Sequence, residues 1–431
     1  MKTFLFILLM MLPFSKTNAQ NMTVSGKNVK DANGNIVTLR GMNFPIMDVG
    51  SVNLNTPSTY TTLIDEFAKT GSNVIRISWN TNGVHWRDQP AHGGTPGTMD
   101  GYIANGKLGA LIDYCFSKNL FVILEIHDGT CQNDWAKFNN TIVPFWTSPN
   151  VVNLINSHKS KLIVNIANEF GYDSDWGGNN SAFKTNYINA ISTLRNAGIT
   201  VPVMIDAANC GMASSSLVSM SSDILNADPQ KNVIFSVHTY WSAYANTNAT
   251  IDAKMNEMIS SPQCFVLGEI ANLQDNNACG DTDITPIYKR VLTDACPAKM
   301  GWLSWSYFAD CATNRQATTT GYFANLTTFG DDLVNNALYG LKNSTCGTTL
   351  QITETGNKTD NVLIFPNPAK DTLYFSEEVS DIKITDTSGK IVKELSVPDK
   401  SADVSGLEKG IYILTAVSGQ GKIISRKLIK Q

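Results

Sequence analysis

Apolar positions between residues 36 and 345 follow two patterns that alternate along the chain. Short runs at 36–40, 73–79, 121–127, 162–168, 201–207, 233–238, 265–269 and 302–307 are rich in Val, Ile and Leu and show no clean period of two. That is the signature of parallel strands buried on both faces. Between the runs the period changes to that of a helix. Tyr60, Leu63, Ile64, Phe67 and Ala68 share one helical face ahead of Gly71, and Leu108, Leu111, Ile112, Cys115 and Phe116 repeat the pattern. Phe183, Tyr187, Ile188, Ile191 and Leu194 repeat it again ahead of Gly198. Eight such strands with helices between them predict an α/β protein, a (β/α)8 TIM barrel over residues 20–345. A doubly wound open sheet is the alternative, but no Gly-x-Gly-x-x-Gly follows the first strand.

The pattern changes at both ends. Lys2 precedes an apolar run from Phe4 to Leu12, too short to span a bilayer, and Thr17-Asn18-Ala19 offers small residues for cleavage. Residues 1–19 therefore read as a removable signal peptide. A polar stretch rich in Thr and Asn surrounds a linker at 346–360. Beyond it the period becomes two. Segments 381–385 and 391–395 flank Asp386-Thr387-Ser388-Gly389, and segments 412–417 and 423–429 flank Ser418-Gly419-Gln420-Gly421. These hairpin signals predict a small C-terminal β-sandwich over 361–431.

Charge narrows the function. Charged residues make up 16% of the chain and the net charge is −4, which gives no field for nucleic acid or anionic lipid. No stretch after the leader has the ~20 apolar residues of a transmembrane helix, so the mature protein is expected to be soluble; a monomer is the expected state. Export makes the eight cysteines candidates for disulfides. Cys264 and Cys296 precede the last two strands, and Cys279 and Cys311 follow them, which favours pairs 264–296 and 279–311. Cys115 lies on a helix's apolar face and reads as a buried thiol. No Cys-x-x-Cys occurs and no His stands near a Cys at zinc-finger spacing, so neither a metal nor a cofactor is expected.

The polar residues that end each apolar run carry the chemistry, because a TIM barrel builds its active site at the C-terminal ends of its strands. They are Arg76 with Trp79, His127, Asn168-Glu169, His238 with Tyr240, Glu269 and Trp305. Each alone has an ordinary structural explanation, as a helix cap, an ion-pair partner or a packed ring. One fold places all of them around a single rim. Two carboxyls there suit glycosidic cleavage, which needs an acid for the leaving oxygen and a carboxylate on the opposite side of the anomeric carbon. Loop tryptophans Trp79, Trp86, Trp135, Trp176 and Trp241 follow predicted strands, where indole faces are expected to stack on sugar rings; Trp302 is expected in the core.

In order and spacing, Arg76, His127, Asn168-Glu169, His238-Thr239-Tyr240, Glu269 and Trp305 resemble glycoside hydrolase family 5 over about residues 36–340. The resemblance implies a retaining double displacement with Glu169 as acid/base and Glu269 as nucleophile. It also implies substrate-binding roles. Asn168 would bond the 2-hydroxyl, Tyr240 and Arg76 would support Glu269, His127 would bind the sugar and Trp305 would stack beneath it. The chemistry of the strand ends, apart from the resemblance, leaves His238 to adjust the other carboxyl, Glu169. Stretches 164–169, 194–198, 204–208 and 226–232 look like the bacterial β-mannanase branch. Phe170 stands where that branch tends to carry Trp, and Ile270-Ala271-Asn272 where it tends to carry Phe-Gly-His. The implied substrate is a β-linked plant polysaccharide, β-1,4-mannan or glucomannan. An endo-β-1,4-glucanase and a non-catalytic surface glycan-binding protein are the alternatives.

The tail resembles a second family, the type A sorting domains of type IX secretion. The likeness rests on Phe365-Pro366-Asn367-Pro368, Asp386-Thr387-Ser388-Gly389-Lys390, Leu407-Glu408-Lys409-Gly410-Ile411-Tyr412 and the basic last strand Arg426-Lys427-Leu428-Ile429-Lys430. It implies the type IX secretion machinery as a partner, and passage through the periplasm to the cell surface or medium. A small carbohydrate-binding sandwich is the other reading, and the lack of Trp there weakens it.

Overall fold

A computed structural model describes residues 21–81, 98–343, 362, 364–386, 390–396, 398–419 and 423–431. The leader at 1–19, the linker at 346–360, Trp86 and the centres of both C-terminal turns lie outside the described residues. The chain divides into two compact units, residues 1–347 and 348–431.

In the first unit eight parallel strands close into a barrel. They are β1 (Arg40–Asn43), β2 (Val74–Trp79), β3 (Phe121–Ile126), β4 (Leu162–Asn165), β5 (Val203–Asp206), β6 (Val233–His238), β7 (Phe265–Ile270) and β8 (Gly301–Ser304). Every residue in them is buried, which is why their apolar runs do not alternate. The three expected helices form as α1 (Ser58–Ala68), α2 (Lys107–Ser117) and α3 (Asn180–Asn196). Each turns its apolar stripe inward, and Gly71 and Gly198 follow α1 and α3 at φ 85°.

The first strand departs from the expectation. Ile36–Val37 pair instead with Asn28–Lys30, which pair in turn with Thr23–Ser25 in a small antiparallel sheet. The side chain of Asp31 accepts from the backbone N–H groups of Asn33 and Asn35 and forms that turn. The barrel strand begins four residues later, in the inconspicuous sequence Arg-Gly-Met-Asn. Gly41 is required there, because a Cβ would lie 1.9 Å from the Val74 carbonyl oxygen of β2. The small sheet covers the base of the barrel. Met22, Val29 and Leu39 pack with Val74, Phe121, Ile163, Met204, Ile234, Val266 and Leu303, at or near the N-terminal ends of their strands.

Among the expected disulfides, Cys279–Cys311 is formed, with Cα atoms 6.1 Å apart. The pair 264–296 is not. Cys264 is a free buried thiol like Cys115, and Cys296 is in a different disulfide. A further bridge, Cys131–Cys210, joins the loops after β3 and β5.

The second unit is an antiparallel sheet around its own core of Leu373, Phe375, Ile382, Ile384, Leu414 and Leu428. Both expected hairpins form: the long strand Thr372–Thr385 with Ile391–Leu395, and Gly410–Ser418 with Ile423–Lys430. Among the described residues no helix is long and apolar enough to cross a membrane.

Candidate active site

The C-terminal ends of the barrel strands surround a cleft of about 580 Å³, lined by His127, Asn168, Glu169, Tyr240, Glu269 and Trp305 among others. Beneath it lies a polar cluster. Arg76 on β2 extends across the barrel and is fully enclosed. Its Nη1 donates to Glu269 Oε1 at 2.8 Å and to Asn43 Oδ1 at 2.8 Å. Nη2 donates to Asn168 Oδ1 at 2.7 Å, to Asn165 Oδ1 at 2.8 Å and to Asp206 Oδ2 at 3.3 Å. Tyr240 donates its hydroxyl to Glu269 Oε2 at 2.8 Å, so both oxygens of Glu269 accept hydrogen bonds. Gly268 makes room for this packing, since a Cβ there would lie 2.1 Å from Ser236 Oγ and 2.8 Å from His238 Nε2.

Glu169 is held differently. Its φ of 50° is in the left-handed region, which a non-glycine residue occupies at a cost of about 1–3 kcal/mol. Its N–H donates to Asp206 Oδ2 at 3.2 Å, its carbonyl accepts from the Cys131 N–H at 3.2 Å, and its Oε1 meets His238 Nδ1 at 2.7 Å. A carboxylate oxygen of Glu169 and one of Glu269 lie within 4.8 Å of each other.

The charges decide where the exchangeable proton sits. Burial lowers the proton affinity of Arg76, but Glu125, Asp206 and Glu269 outweigh burial and keep it firmly cationic. Burial also opposes protonation of His127 and His238. Glu125 nevertheless lifts His127 to about 9, and Glu269 with Asp206 lifts His238 to about 10. Burial would raise Asp206, yet His238 and Arg76 bring it down to about 2. Glu125 is lowered too, because His127 and Arg76 overcome its burial. Three cations thus face four carboxyls, one more than they can neutralise. The carboxyl with raised proton affinity is Glu169, chiefly through burial, with Glu269 and Asp206 adding to it against His238.

The structure brings together the expected Arg76, His127, Asn168, Glu169, His238, Tyr240, Glu269 and Trp305. Arg76 and His238, grouped with the substrate-binding residues, lie below the cleft and reach no sugar; they contact Glu269 and Glu169, the carboxyls they were expected to support and adjust. His127 donates Nδ1–H to Glu125 Oε1, 2.8 Å away, and its ring is parallel to the Trp305 indole at 5.8 Å. The loop tryptophans divide. Trp176 lines the cleft and is 46% exposed. Trp79 and Trp241 are wholly buried, and Trp135 packs on Phe138, Phe170, Phe183 and Tyr187, so none of the three presents a face to the cleft. Trp302 is in the core, as expected. Sequence reasoning missed Asn43, Glu125, Asn165 and Asp206. The last three left a signal, since each interrupts an otherwise apolar run with a polar side chain.

Residues 30–309 match the model of the Cellulase family (glycosyl hydrolase family 5), and residues 363–431 match that of the secretion system C-terminal sorting domain. A mannan endo-1,4-beta-mannosidase of Salipaludibacillus agaradhaerens is 29% identical over 284 residues, covering 66% of this chain and 80% of that protein. One from Cellvibrio japonicus is 29% identical over 333 residues, covering 76% and 68%. In fold, the chain resembles the catalytic domain of a mannanase from Streptomyces sp. SirexAA-E, with TM-score 0.61 and 19% identity over 79% of this chain and 96% of that one. With the cleft, the paired carboxyls and the matched barrel in agreement, the chain belongs to glycosyl hydrolase family 5 and carries a C-terminal secretion sorting domain.

Proposed function

We propose that the chain is a secreted, retaining endo-β-1,4-mannanase, with Glu169 as acid/base and Glu269 as nucleophile. The observation that carries this reading is the close approach of the two carboxyls, with oxygens within 4.8 Å across the cleft. Retaining enzymes hold the pair about 5–5.5 Å apart, while inverting enzymes leave about 6.5–9.5 Å for a water. In the first step Glu269 attacks the anomeric carbon as Glu169 protonates the departing oxygen. Glu269 then carries the sugar as an ester and has lost its negative charge. One of the influences raising the proton affinity of Glu169 disappears with it. Glu169, having given up its proton, is then held ionised and so is available as the base of the second step. In that step it takes a proton from water as that water attacks the anomeric carbon and the ester bond to Glu269 breaks.

Asn168 accepts from Arg76 and donates Nδ2 to Thr130 Oγ1 at 3.0 Å, which leaves its second amide hydrogen for the 2-hydroxyl of the reacting sugar. His127, Trp305 and Trp176 supply the remaining sugar contacts. Mannan is favoured over cellulose by the names of the relatives and by the mannanase-like stretches at 164–169 and 204–208. The C-terminal sorting domain suits an enzyme that acts at the cell surface or beyond it.

The test is reducing-sugar release from β-1,4-mannan, glucomannan and a soluble cellulose, with the anomer of the first product read by proton NMR. Mannan cleavage at least about tenfold faster than cellulose, a gap of ~1.4 kcal/mol, with β-product formed first, is expected. Equal or faster cellulose cleavage would transfer the protein to the glucanase reading; an α-product would end the retaining assignment.

A further inference from the structure

The acid/base is gripped from two sides by a covalent strap. Glu169 accepts from the Cys131 N–H, the Gly171 N–H donates to Gln132 O at 2.7 Å, and the Asn209 N–H donates to Gly171 O at 3.0 Å. Segment 169–171 is therefore hydrogen-bonded between the loop after β3 and the loop after β5. Those two loops are the ones joined by Cys131–Cys210, with Cα atoms 4.6 Å apart. Glu169, Cys131, Asn209 and Cys210 all adopt positive φ, and the bridge lines the cleft.

The bridge also faces the carboxyl. Cys131 Sγ lies 3.2 Å from Glu169 Oε2. A disulfide sulfur carries no hydrogen, so this contact covers the oxygen without donating to it. His238 Nδ1 serves the other oxygen, Oε1. A donor at Oε2 would favour the anion, whereas a dry, non-donating neighbour favours the protonated acid.

We propose that the Cys131–Cys210 disulfide is a positioning element for the acid/base: it straps segment 169–171 between two loops and keeps hydrogen donors away from Glu169 Oε2, so that this oxygen holds the proton facing the cleft. The inference rests on Glu169 being the acid/base. The other charged or titratable groups acting on that carboxyl are His238, Glu269, Asp206 and Arg76, with Tyr240 close by, and substitution of Cys131 and Cys210 replaces none of them.

The experiment compares the full-length wild type with Cys131→Ser/Cys210→Ser and Cys131→Ala/Cys210→Ala, following kcat/KM on soluble β-1,4-mannan against pH. Serine restores a donor beside Oε2; alanine admits water. The alkaline half-point should fall by about half a pH unit or more in the serine variant, roughly a threefold loss on the alkaline limb, and by less in the alanine variant. Glycosylation by an aryl β-mannobioside with a dinitrophenolate leaving group, which needs little protonation, should stay within about twofold of wild type. A wild-type half-point in both folded variants, as judged by near-UV circular dichroism, overturns the proposal. If neither variant folds, reduction of the native protein with a phosphine, monitored by mass spectrometry at Cys131, must produce the same shift. An unmoved half-point then overturns it equally. Glu169→Ala is run alongside: full activity of that variant on mannan would remove the acid/base reading itself, whatever the bridge does.

Discussion

His238 presents Nδ1 to Glu169 Oε1 at 2.7 Å, and the same nitrogen stands 3.7 Å from Glu269 Oε1. One imidazolium therefore touches both carboxyls between which the glycosidic bond is broken. When Glu169 gives up its proton, the new anion already has its counter-ion in place. No side chain has to move to stabilise it.

The two glutamates should fail in different ways. Glu269→Ala should abolish turnover on every substrate, because no other group occupies the nucleophile's position between Arg76 and Tyr240. Glu169→Ala should lose about 10²–10⁴-fold on mannan, the usual worth of general acid catalysis, yet keep a rapid burst with a dinitrophenyl mannobioside. Burst kinetics on both variants separate the roles. Normal mannan cleavage by Glu269→Ala would falsify the assignment.

Stability should fall towards both ends of the pH scale, for opposite reasons. The folded state raises His127 from 6.5 to about 9 and His238 from 6.5 to about 10, so their contribution is complete below 6.5 and is lost as pH rises through those values. It lowers Asp206 from 3.8 to about 2, so that contribution is present above 3.8 and is lost as pH falls towards 2. Melting temperature scanned against pH should be highest between these windows. A melting temperature still rising between pH 7 and 10 would show that the two imidazoles are neutral in the folded enzyme.

Tryptophans that look equivalent along the chain should give opposite phenotypes. Trp241 is buried and donates Nε1 to Met212 O at 3.2 Å, so Trp241→Ala should destabilise by about 3–5 kcal/mol. Trp176→Ala should leave the melting temperature within a degree or two and raise KM on long mannan severalfold, as loss of a stacking face of about 0.5–1.5 kcal/mol implies. Thermal melts and Michaelis kinetics on the pair decide it.

Removal of the C-terminal unit should spare catalysis if the cut respects the barrel. Arg40 donates to the carbonyls of Tyr339 and Asn343 at 2.8 Å each, and to that of Gly340, so residues through 343 belong to the enzyme. A chain ending at residue 347, the limit of the first unit, should keep kcat/KM on soluble mannan within about twofold and be retained in the periplasm. Cell fractionation and activity assays read both effects. Loss of most activity on soluble polymer would make the tail a substrate-binding or stabilising module.

Much of the barrel was legible because strands buried on both faces must be apolar and helices covering them must be amphipathic. β1 was displaced because Gly41 and Asn43 are chosen for close strand approach and for bonding Arg76, which removes the apolar signature from that strand. At the site, the strand-end residues could be read directly, since a barrel turns them all to one rim. Arg76 and His238 belonged to that set, but their depth depends on side-chain reach, which spacing does not reveal. Trp79, Trp135 and Trp241 failed as platforms for the same reason. Cys264 and Cys296 precede neighbouring strands, but Cys296 stands at the end of the helix Thr285–Ala295, five residues short of its strand, and one is an unpaired thiol while the other bonds elsewhere. Parts of the mannanase-like signal have a structural source. Arg195 makes two bonds to Asp228, at 3.0 and 2.9 Å, and donates to the Ile199 and Val201 carbonyls, a clamp between α3 and the approaches to β5 and β6.

The small sheet at the barrel's base gives the N-terminus an address. Met22 is buried there, against the ends of the strands opposite the catalytic rim. Any anchor joined ahead of Met22, whether an uncleaved leader, an affinity handle or a resin, would grip the enzyme by its floor and leave the mouth open to a polymer. Trimming a few residues further in would instead take the stopper from that floor, letting solvent reach Ile163 and Ile234. For immobilising the enzyme on a support, the front end of the chain is the point of attachment that costs the substrate nothing, provided the graft stops short of residue 22.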